Sequence, residues 1–439
     1  MTPEAQIESW FRKVLVQLDP SRLTSRATAF RPDEDVPLFG EPVFNNPVEV
    51  PARGEVVVMA VGKAAIGMAE GAQIMFGDRF QRGYVLTVDG PDASALDERW
   101  TVFRAGHPIP DQRGIDATRA LVAVVEELSS DDLVIALISG GGSALFEAPR
   151  DPLTLDDFAE LTQLLLHAGA PIQHLNTVRI PLSQVKGGAF RRRSPAGQFA
   201  TLILSDVLGN DTQIIASGPT VEPAVTGAAA LAVLDLYGLR ETVSSAVRTV
   251  LNEAAAESTA WDYPDDIVEI VGDVELAMQL AGEASSDAGV DTVVVDFLLD
   301  GDASEAARSW VEELLETGGD IDAVWSGGET TVTVQGDGAG GRNTEFALVA
   351  ALELDRLEND QWVVGSLATD GQDGNFPSAG AIASRETIQR ARELGIDPNA
   401  ALANNDSATF FQQVGGLVIT GPTGTNVNDL YVGLRRHPA

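Results

Sequence analysis

A glycine-rich turn is the first feature of this sequence that could bind a ligand. An apolar segment, Leu133–Ser139, leads into this turn, and a second apolar segment follows it. The turn consists of Ser139, Gly140, Gly141, Gly142 and Ser143. A buried strand that turns through glycines into a helix directs backbone N–H groups and the positive end of the helix toward an anion. Similar turns also occur without a ligand, so the pattern alone leaves both interpretations open.

Lysine is rare in this chain, and two of the few lysines lie beside glycines. Only Lys13, Lys63 and Lys186 occur, in a chain with a formal net charge of −36. Lys63 lies in the segment VGKAA, directly after a predicted strand, and Lys186 lies in VKGGAF. A lysine in such a turn can neutralise a phosphate as a point charge. The alternative is a solvent-facing lysine, which the scarcity of lysine makes the weaker interpretation.

Paired aspartates follow two other predicted strands. Asp206 and Asp211 lie in SDVLGND, and Asp370 and Asp373 lie in ATDGQDG. Mg²⁺ takes one or two protein carboxylates and completes its coordination with phosphates and water. Aspartate is also common as a turn former or helix N-cap, so the pattern leaves a structural role open.

An arginine and a histidine are further candidates. Arg342 opens a predicted helix after a glycine-rich segment, where it could reach a phosphoryl group during transfer. Pairing with a surface carboxylate is the alternative for Arg342. His107 could act as a base or contact the substrate, or it could be structural. The arginine run at residues 191–193 is interpreted as a solvated surface patch.

Several common catalytic motifs are absent from the sequence. No GxxxxGK[ST] loop occurs, and residues 62–67 (GKAAIG) do not form the GxGxxG dinucleotide fingerprint. Ser143 does not lie in a GxSxG nucleophile elbow. Without cysteines or a paired histidine motif, a zinc site is not expected.

The composition excludes further classes of function. A net charge of −36 disfavours nucleic acid binding, which needs a basic surface. The acidic residues are spread along the chain, as on the surface of a halophilic protein. The chain has no apolar run that could span a membrane and no signal-peptide pattern at its start. We therefore expect a cytoplasmic protein that binds neither membranes nor nucleic acid.

Alternating strands and helices must position the candidate residues. Five apolar segments predict the first strands: residues 55–61, 83–88, 101–104, 133–139 and 199–204. Helical patterns between them predict a doubly wound parallel sheet, which binds ligands at the carboxyl ends of its strands. The first eighteen residues predict an amphipathic helix, and residues 20–50 predict an extended wrapping segment.

A polar interval at residues 258–266 is the predicted domain boundary. The strand and helix patterns restart after it, beginning with a strand at residues 268–271. The sequence therefore predicts an α/β fold with two domains, residues 1–257 and residues 267–439. The second domain is expected to be a smaller α/β domain with a mixed sheet.

Ten motifs in order make the chain resemble the class II glycerate 2-kinase family. They are VGKAA, GHPIPD, LISGGGSAL, LNTVRIPLSQVKGG, SDVLGND, SGPT, SGGETTVTV, GGRNTEFAL, ATDGQDG and TGPTGTNVNDL. The resemblance implies a Rossmann-like N-terminal domain followed by a smaller α/β domain of the type called MOFRL. It also implies ATP-dependent phosphorylation of D-glycerate at its 2-hydroxyl, giving 2-phosphoglycerate and ADP, with Mg²⁺ as the metal.

The motifs and the resemblance together give the expected site. Lys63 and Arg342 match the suspected catalytic pair of the family, and Asp206 or Asp370 is the candidate base. The metal candidates are Asp206, Asp211 and Asp370. Candidates for binding the substrate or a phosphate are Ser139, Gly140, Gly141, Gly142, Ser143, Lys186, Asn176, Arg179, Asn343, Glu345 and His107. We hypothesise that these residues line a cleft between the two domains.

Two other functions stay open at this point. One is an NAD(P)H-dependent hydroxypyruvate reductase, a name often attached to members of this family, although the chain lacks the dinucleotide fingerprint. The other is a nucleotide-binding sensor without catalysis, which the surplus of cations and carboxylates disfavours. The sequence leaves the oligomeric state open between a monomer and a homodimer.

Overall fold

Two six-stranded sheets divide the chain into two units. A computed structural model describes residues 1–27, 48, 54–258, 260–317, 319 and 321–436. The first unit contains Pro20–Leu204 and Gly209–Val271. The second unit contains Met1–Asp19, Ser205–Leu208 and Gly272–Ala439. Helix α1 (Pro3–Gln17) therefore belongs to the second unit.

The sheet of the first unit is doubly wound. Its strands are β1 (Val56–Val61), β2 (Arg82–Val88), β3 (Trp100–Ala105), β4 (Leu133–Ser139), β5 (Gln198–Leu204) and β6 (Ile267–Gly272), in the order β3-β2-β1-β4-β5-β6. The pairs β1–β2, β2–β3, β1–β4 and β4–β5 are parallel. Strands β1 and β4 are buried along their whole length, as is typical of central strands in parallel sheets. The predicted fold class of this unit is confirmed.

Helices follow most strands of the first unit. They are α2 (Pro20–Ser25), α3 (Ala65–Phe76), α4 (Gln112–Glu126), α5 (Gly142–Leu145), α6 (Leu155–His167), α7 (Ile172–Arg179), α8 (Ala189–Arg193), α9 (Gly227–Leu236) and α10 (Ser245–Ala256). Helix α6 begins at a capping box, in which Thr154 and Asp157 each accept the backbone N–H of the other. Helices α6, α7, α9 and α10 enclose a separate apolar cluster that includes Leu165, Val178 and Leu234.

The strand order reverses between β1 and β4. Strands β2 and β3 continue on one side of β1, whereas β5 and β6 continue beyond β4. In doubly wound sheets, ligands bind beyond the carboxyl ends of the strands at such a reversal. The turns that contain Lys63 and Gly141 leave β1 and β4 at these ends. The fold thus brings two of the predicted phosphate turns together.

The sheet of the second unit is mixed, as predicted. Its strands are β7 (Thr292–Leu299), β8 (Ala323–Gly328), β9 (Trp362–Ala368), β10 (Gly380–Ser384), β11 (Leu417–Val418) and β12 (Asp429–Arg435), in the order β11-β10-β9-β12-β8-β7. Strands β7 and β8 are parallel. The pairs β8–β12, β9–β12, β9–β10 and β10–β11 are antiparallel.

Helices pack on this second sheet around one apolar core. In addition to α1 they are α11 (Val274–Ser286), α12 (Ala303–Thr317), α13 (Arg342–Arg356), α14 (Arg385–Leu394), α15 (Pro398–Ala403) and α16 (Ser407–Val414). Trp310, Phe346 and Tyr431 are among the largest side chains of the core. In the described part of the chain, no helix of either unit is long and apolar enough to cross a membrane.

The division into units differs from the predicted domains at β6, at α1 and at Ser205–Leu208, which belongs to the second unit. The strand predicted at residues 268–271 is part of β6, which lies beside β5 in the first sheet and does not begin the second domain. Helix α1 belongs to the second unit because its apolar face packs on the second sheet, where the Trp10 and Trp325 rings lie 6.4 Å apart. In the segment predicted as extended, α2 is helical, and residues 28–47 and 49–50 lie outside the described residues.

Candidate active site

Hydrogen bonds tie together the two turns at the reversal of the first sheet. The backbone N–H of Lys63 donates to the carbonyl of Gly140 at 2.9 Å. The N–H of Ala64 donates to the hydroxyl of Ser139 at 3.2 Å, and that hydroxyl donates to the carbonyl of Val61 at 3.3 Å. Ser139 is only 1% exposed. Its hydroxyl therefore fixes the turn, and its contact with a ligand stays a prediction.

Gly141 lies against two of the predicted site residues. Its φ of 83° is in the left-handed region that favours glycine. A Cβ atom on Gly141 would lie 3.1 Å from Cγ of Lys63 and 3.2 Å from Nε2 of His107. Lys63 is exposed and His107 is half-buried. Burial, and after it the charge of Lys63, lowers the pKa of His107, so the imidazole is neutral at pH 7.

The helix that follows the glycine turn is shorter than expected. Helix α5 has four residues, so it contributes little of the macrodipole on which the prediction relied. The N–H groups of Gly142 and Ser143 lie in its first turn, where no intrahelical acceptor exists. The hydroxyls of Ser143 and Ser217 are 2.9 Å apart. An anion at this turn would therefore depend on individual N–H and hydroxyl groups.

The side chain of Lys186 has an internal ion-pair partner. Nζ of Lys186 lies 2.6 Å from Oε2 of Glu147, and both side chains are almost completely buried. Burial lowers the pKa of Lys186, and the charge of Glu147 opposes that shift. The N–H of Gly187 donates to the carbonyl of Ser217 at 2.8 Å. An internal ion pair and a backbone hydrogen bond thus stand where the sequence predicts a phosphate contact.

Other polar candidates of the first unit lie on or near α7. Asn176 is partly exposed and lies in the wall of a cavity. Nε of Arg179 is buried without a hydrogen-bond partner, and the charge of Arg179 also lowers the pKa of Lys186. Arg191, expected in a solvated patch, is 2% exposed and pairs with Asp266 at 2.5 Å. The solvated-patch prediction is therefore wrong for Arg191.

Arg342 lies between two carboxylates of the second unit. Its Nε is 2.5 Å from Oδ2 of Asp429, and its Nη1 is 2.8 Å from Oε1 of Glu329. Burial alone would lower the pKa of Arg342, but the charges of Asp429 and Glu329 raise it above its ordinary value. The Arg342 side chain remains 28% exposed. The guanidinium is therefore charged, oriented and accessible.

Asn428 connects this arginine site to Asp206. Its Nδ2 donates to Oε2 of Glu329 at 3.0 Å and to the backbone carbonyl of Asp206 at 2.8 Å. Burial raises the pKa of Glu329; the charge of Arg342 opposes this shift, and the charges of Asp429 and Asp206 add to it. Two predicted site residues, Asp206 and Arg342, thus lie in one region of the second unit.

Asn343 and Glu345 point into the second unit. Oδ1 of Asn343 accepts a hydrogen bond from the hydroxyl of Ser366 at 2.7 Å. Oε1 of Glu345 accepts one from the hydroxyl of Ser304 at 2.9 Å. Both Asn343 and Glu345 are buried. Both side chains therefore have internal partners, and their contacts with the substrate stay predictions.

Three aspartates in the predicted metal segments form caps and turns. Asp373 accepts the N–H groups of Asn343 and Thr344 at 2.9 and 2.8 Å, which caps α13. Asp211 and Asp370 each accept the N–H of the residue two positions later, as in an Asx turn. Within the described ranges, no group of three or more His, Asp or Glu side chains could hold a metal ion. Mg²⁺ needs only one or two protein carboxylates, so this finding leaves the Mg²⁺ prediction standing.

The structure adds four residues to these sites that the sequence analysis missed. They are Ser217, Glu329, Asn428 and Asp429. Each lies in one of the motifs that carry the resemblance. Glu329 directly follows β8, just as Gly62 and Lys63 follow β1, so its position after a strand could have identified it. Asp429 begins β12, a strand that the sequence pattern does not predict.

Comparisons with known proteins match the two parts of the chain to two families. Residues 6–252 match a family described as a domain of unknown function, DUF4147, and residues 322–429 match the MOFRL family. The D-glycerate 2-kinase of Thermotoga maritima is 39% identical, over 86% of this chain and 90% of its own length. A relative from Agrobacterium vitis, also 39% identical over 88% of this chain and 89% of its own length, carries a provisional hydroxypyruvate reductase name.

A solved structure matches the whole fold. The crystal structure of glycerate kinase from Thermotoga maritima superposes with a TM-score of 0.87 at 34% sequence identity, and 99% of each chain is covered. The family matches divide the chain in the same order as the two sheets, with DUF4147 first and MOFRL second. The chain therefore belongs to the class II glycerate 2-kinase family.

Proposed function

We propose that this chain is a kinase that transfers the γ-phosphoryl group of ATP to the 2-hydroxyl of D-glycerate, giving 2-phosphoglycerate and ADP. The observation that carries the proposal is the exposed Lys63 beside Gly141, at the reversal of the first sheet. A cation together with N–H groups at such a reversal suits a phosphate. The names of relatives in the family, which include glycerate 2-kinases from Thermotoga maritima and Pyrococcus horikoshii, support the same reaction.

In the first unit, Lys63 and the glycine turn bind phosphate. The Lys63 ammonium neutralises phosphate charge, and the N–H groups of Gly142 and Ser143 donate to phosphate oxygens. His107 is neutral at pH 7, so it can donate a hydrogen bond without adding a second positive charge beside Lys63. We assign His107 to the carboxylate of glycerate.

In the second unit, Arg342 stabilises the charge of the phosphoryl group during transfer. Its contacts with Asp429 and Glu329 hold the guanidinium in one orientation, which is how a preorganised donor lowers a barrier. Asp206 is the assigned base for the 2-hydroxyl proton, and Asp370 is the alternative. Asp206 and Glu329 offer the hard carboxylate oxygens that suit Mg²⁺, which neutralises nucleotide phosphates when bound.

The charge of the chain bears on its working conditions. A net charge of −36 causes strong self-repulsion at low ionic strength, which salt screens. We therefore propose that the enzyme works at high salt. The use of ATP and the lack of cysteines favour the cytoplasm. We propose a monomer or a homodimer, which light scattering would distinguish.

Phosphorus NMR tests the proposed reaction directly. Purified protein in high salt is incubated with Mg-ATP and D-glycerate, and NADH oxidation on hydroxypyruvate is measured in parallel. Formation of a 2-phosphate ester is the expected result, and a 3-phosphate ester would correct the position of transfer. NADH oxidation without a phosphate ester would replace the kinase by a reductase. Nucleotide binding without either reaction would favour a sensor.

The role of Arg342 is tested on the same helix. Arg342→Ala should lower kcat strongly, because it removes the preorganised charge proposed to stabilise the transferring group. Arg356→Ala, at the exposed far end of α13, is the matched control and should keep normal kcat. Equal kcat in both variants would remove Arg342 from the mechanism.

A further inference from the structure

A cavity of about 260 Å³ lies in the first unit, between α7 and the segment 211–225. Apolar side chains form most of its wall, among them Ile172, Ile180, Ile214 and Pro223. Ile172 is 58% exposed and Ile214 is 55% exposed, so these large apolar side chains are left open to solvent at its mouth. Its volume is close to the lower end of the range of small-molecule sites, roughly 300–1,000 Å³.

Amide groups and two carboxylates, those of Asp211 and Glu222, surround this apolar wall. Gln173 and Asn176 of α7 lie on one side, and Gln213 and Asp211 lie on the other. Side-chain amides can donate to and accept from the edge of a nucleobase. A carboxylate is the group that commonly accepts hydrogen bonds from ribose hydroxyls. An apolar slot with these groups at its rim suits a base and its ribose.

The inner end of the cavity reaches the glycine turn. Ser217 lines the cavity, and its hydroxyl is 2.9 Å from that of Ser143. Ala216 and Ser217 have φ values of 50° and 62°, a conformation that residues other than glycine rarely adopt. The bond from the N–H of Gly187 to the carbonyl of Ser217 holds this unusual segment in place. Such maintained strain is typical of functional sites.

We propose that this cavity binds the nucleoside part of the phosphoryl donor. The base lies between Ile172 and Ile214, and the ribose hydroxyls bond to Asp211. The phosphates then pass Ser217 and Ser143 toward the glycine turn and Lys63. This inference rests on the proposed kinase function, and it gives Asp211 a role in nucleoside binding rather than in metal binding.

The absence of cysteines makes a direct test simple. Ile214→Cys introduces a single thiol at the mouth of the cavity, and its rate of alkylation by iodoacetamide is followed by mass spectrometry. At about ten times the dissociation constant, Mg-ADP or adenosine should slow alkylation by about tenfold, because only the unliganded fraction exposes the thiol. Inorganic tripolyphosphate, which has no nucleoside, should give no protection.

Two further variants make the labelling result decisive. Ile172→Cys reports from the opposite wall and should be protected in the same way. Ile74→Cys, 67% exposed on α3 of the same unit, is the matched control and should react at the same rate with or without nucleotide. Equal protection by tripolyphosphate, or no protection at either wall position, would overturn the proposal.

The labelling experiment and the NMR experiment test the nucleoside site and the kinase function independently. Phosphorylation of D-glycerate by the wild-type chain without protection of the wall thiols would overturn the nucleoside site and leave the kinase function intact. Protection without any phosphoglycerate would overturn the kinase function and leave the nucleoside site.

Asp211→Asn separates the two roles considered for Asp211. As a ribose ligand, Asp211 should affect mainly nucleotide binding, so KM for ATP should rise while KM for D-glycerate and kcat stay near the wild-type values. A fall in kcat with a changed Mg²⁺ requirement would instead restore Asp211 as a metal ligand and contradict its assignment to the ribose.

Discussion

Lys63 and Lys186 occur in similar sequence contexts but have opposite environments. Both lie beside glycines in a chain that has only one other lysine. Lys63 is exposed and, within the part of the chain that the structure describes, has no ion-pair partner. Lys186 is buried, with its Nζ 2.6 Å from Glu147. The two turns therefore use their positive charges in different ways.

The difference shows what makes a lysine available for a ligand. At Lys186, the charge compensates a buried carboxylate, and the neighbouring N–H of Gly187 is already bonded to Ser217. At Lys63, the backbone N–H is bonded to Gly140, but the ammonium is left open beside Gly141. A charge that is needed to stabilise another buried charge cannot also stabilise a transferring phosphoryl group. We therefore propose that Lys186 contributes to stability and Lys63 to catalysis.

The largest effect that this comparison predicts is a loss of stability when Lys186 is replaced. Lys186→Met leaves Glu147 buried and unpaired, so the free energy of unfolding should fall by about 3–5 kcal/mol. The kcat of the folded fraction should stay near the wild-type value. Urea unfolding and turnover of the same preparation provide both measurements.

A double variant controls this first prediction. Lys186→Met with Glu147→Met removes both charges, so most of the lost stability should return, because apolar replacement of a buried ion pair is often neutral. A Lys186→Met variant that unfolds like the wild type but has lost turnover would reverse the roles assigned to the two lysines.

Lys63→Ala should have the complementary effect. Loss of one preorganised charge at a phosphoryl-transfer site should reduce kcat by about 10²–10³-fold. The free energy of unfolding should change by no more than about 0.5 kcal/mol, because Lys63 is exposed and has no ion-pair partner among the described residues. Steady-state kinetics with Mg-ATP and D-glycerate measure the first effect, and urea unfolding measures the second.

Lys13 supplies the control for Lys63. It is exposed on α1, and Lys13→Ala should keep both kcat and stability. If Lys63→Ala and Lys13→Ala had the same kcat, Lys63 would have no part in the reaction, and the first unit would lose the cation assigned to it.

Sequence patterns predicted strands and helices well where the local spacing of apolar side chains determines them. The apolar runs of β1 and β4 and the helical spacing of α1 gave strands and a helix close to those observed. The patterns did not show which sheet each element joins. Strand β6 joins the first sheet and helix α1 joins the second unit, because sheet pairing and packing are long-range contacts that local periodicity does not record.

The sequence predicts which residue types form the candidate site, but it does not predict their burial or their partners. Lys63 and Asp206 are predicted because charged residues after strand ends suit phosphate chemistry, and Arg342 is predicted because it opens a helix after a glycine-rich segment. The partner of Lys186 lies 39 positions earlier in the chain, at Glu147, and nothing near Lys186 in the sequence indicates an ion pair. Asp429 was missed because β12, which carries it, pairs with strands far from it in the sequence.

Gly141 offers a sharper test of the Lys63 turn. Gly141→Ala places a Cβ atom 3.1 Å from Cγ of Lys63 and 3.2 Å from Nε2 of His107, at a φ of 83°. The left-handed conformation should cost about 1–2 kcal/mol of stability. Displacement of both side chains should lower kcat by about tenfold, since a shift of about 1 Å can cost as much as 10²-fold.

Gly169→Ala is a control that has the same backbone strain but displaces no side chain. Its φ is 76°, and a Cβ atom there would meet nothing within 4 Å. Gly169→Ala should therefore lose similar stability without any loss of kcat. If both alanine variants kept normal kcat, the contact of Gly141 with Lys63 would have no catalytic meaning.

The smallest expected effect is a pH dependence that connects His107 to Lys63. Burial and the charge of Lys63 hold the pKa of His107 below its ordinary value of 6.5. As the pH falls below this value, the unfolded chain binds a proton that the folded chain does not, so the free energy of unfolding should fall. The stability that neutral His107 contributes is fully present above the pKa of the unfolded chain. It is lost as the pH falls through the pKa of His107 in the folded chain. Urea unfolding at several pH values should show a smaller loss in His107→Gln than in the wild type. The loss should also be smaller in Lys63→Ala, because the charge of Lys63 is the second cause of the lowered pKa. If the stability of Lys63→Ala fell with pH as steeply as that of the wild type, the charge of Lys63 would not act on His107.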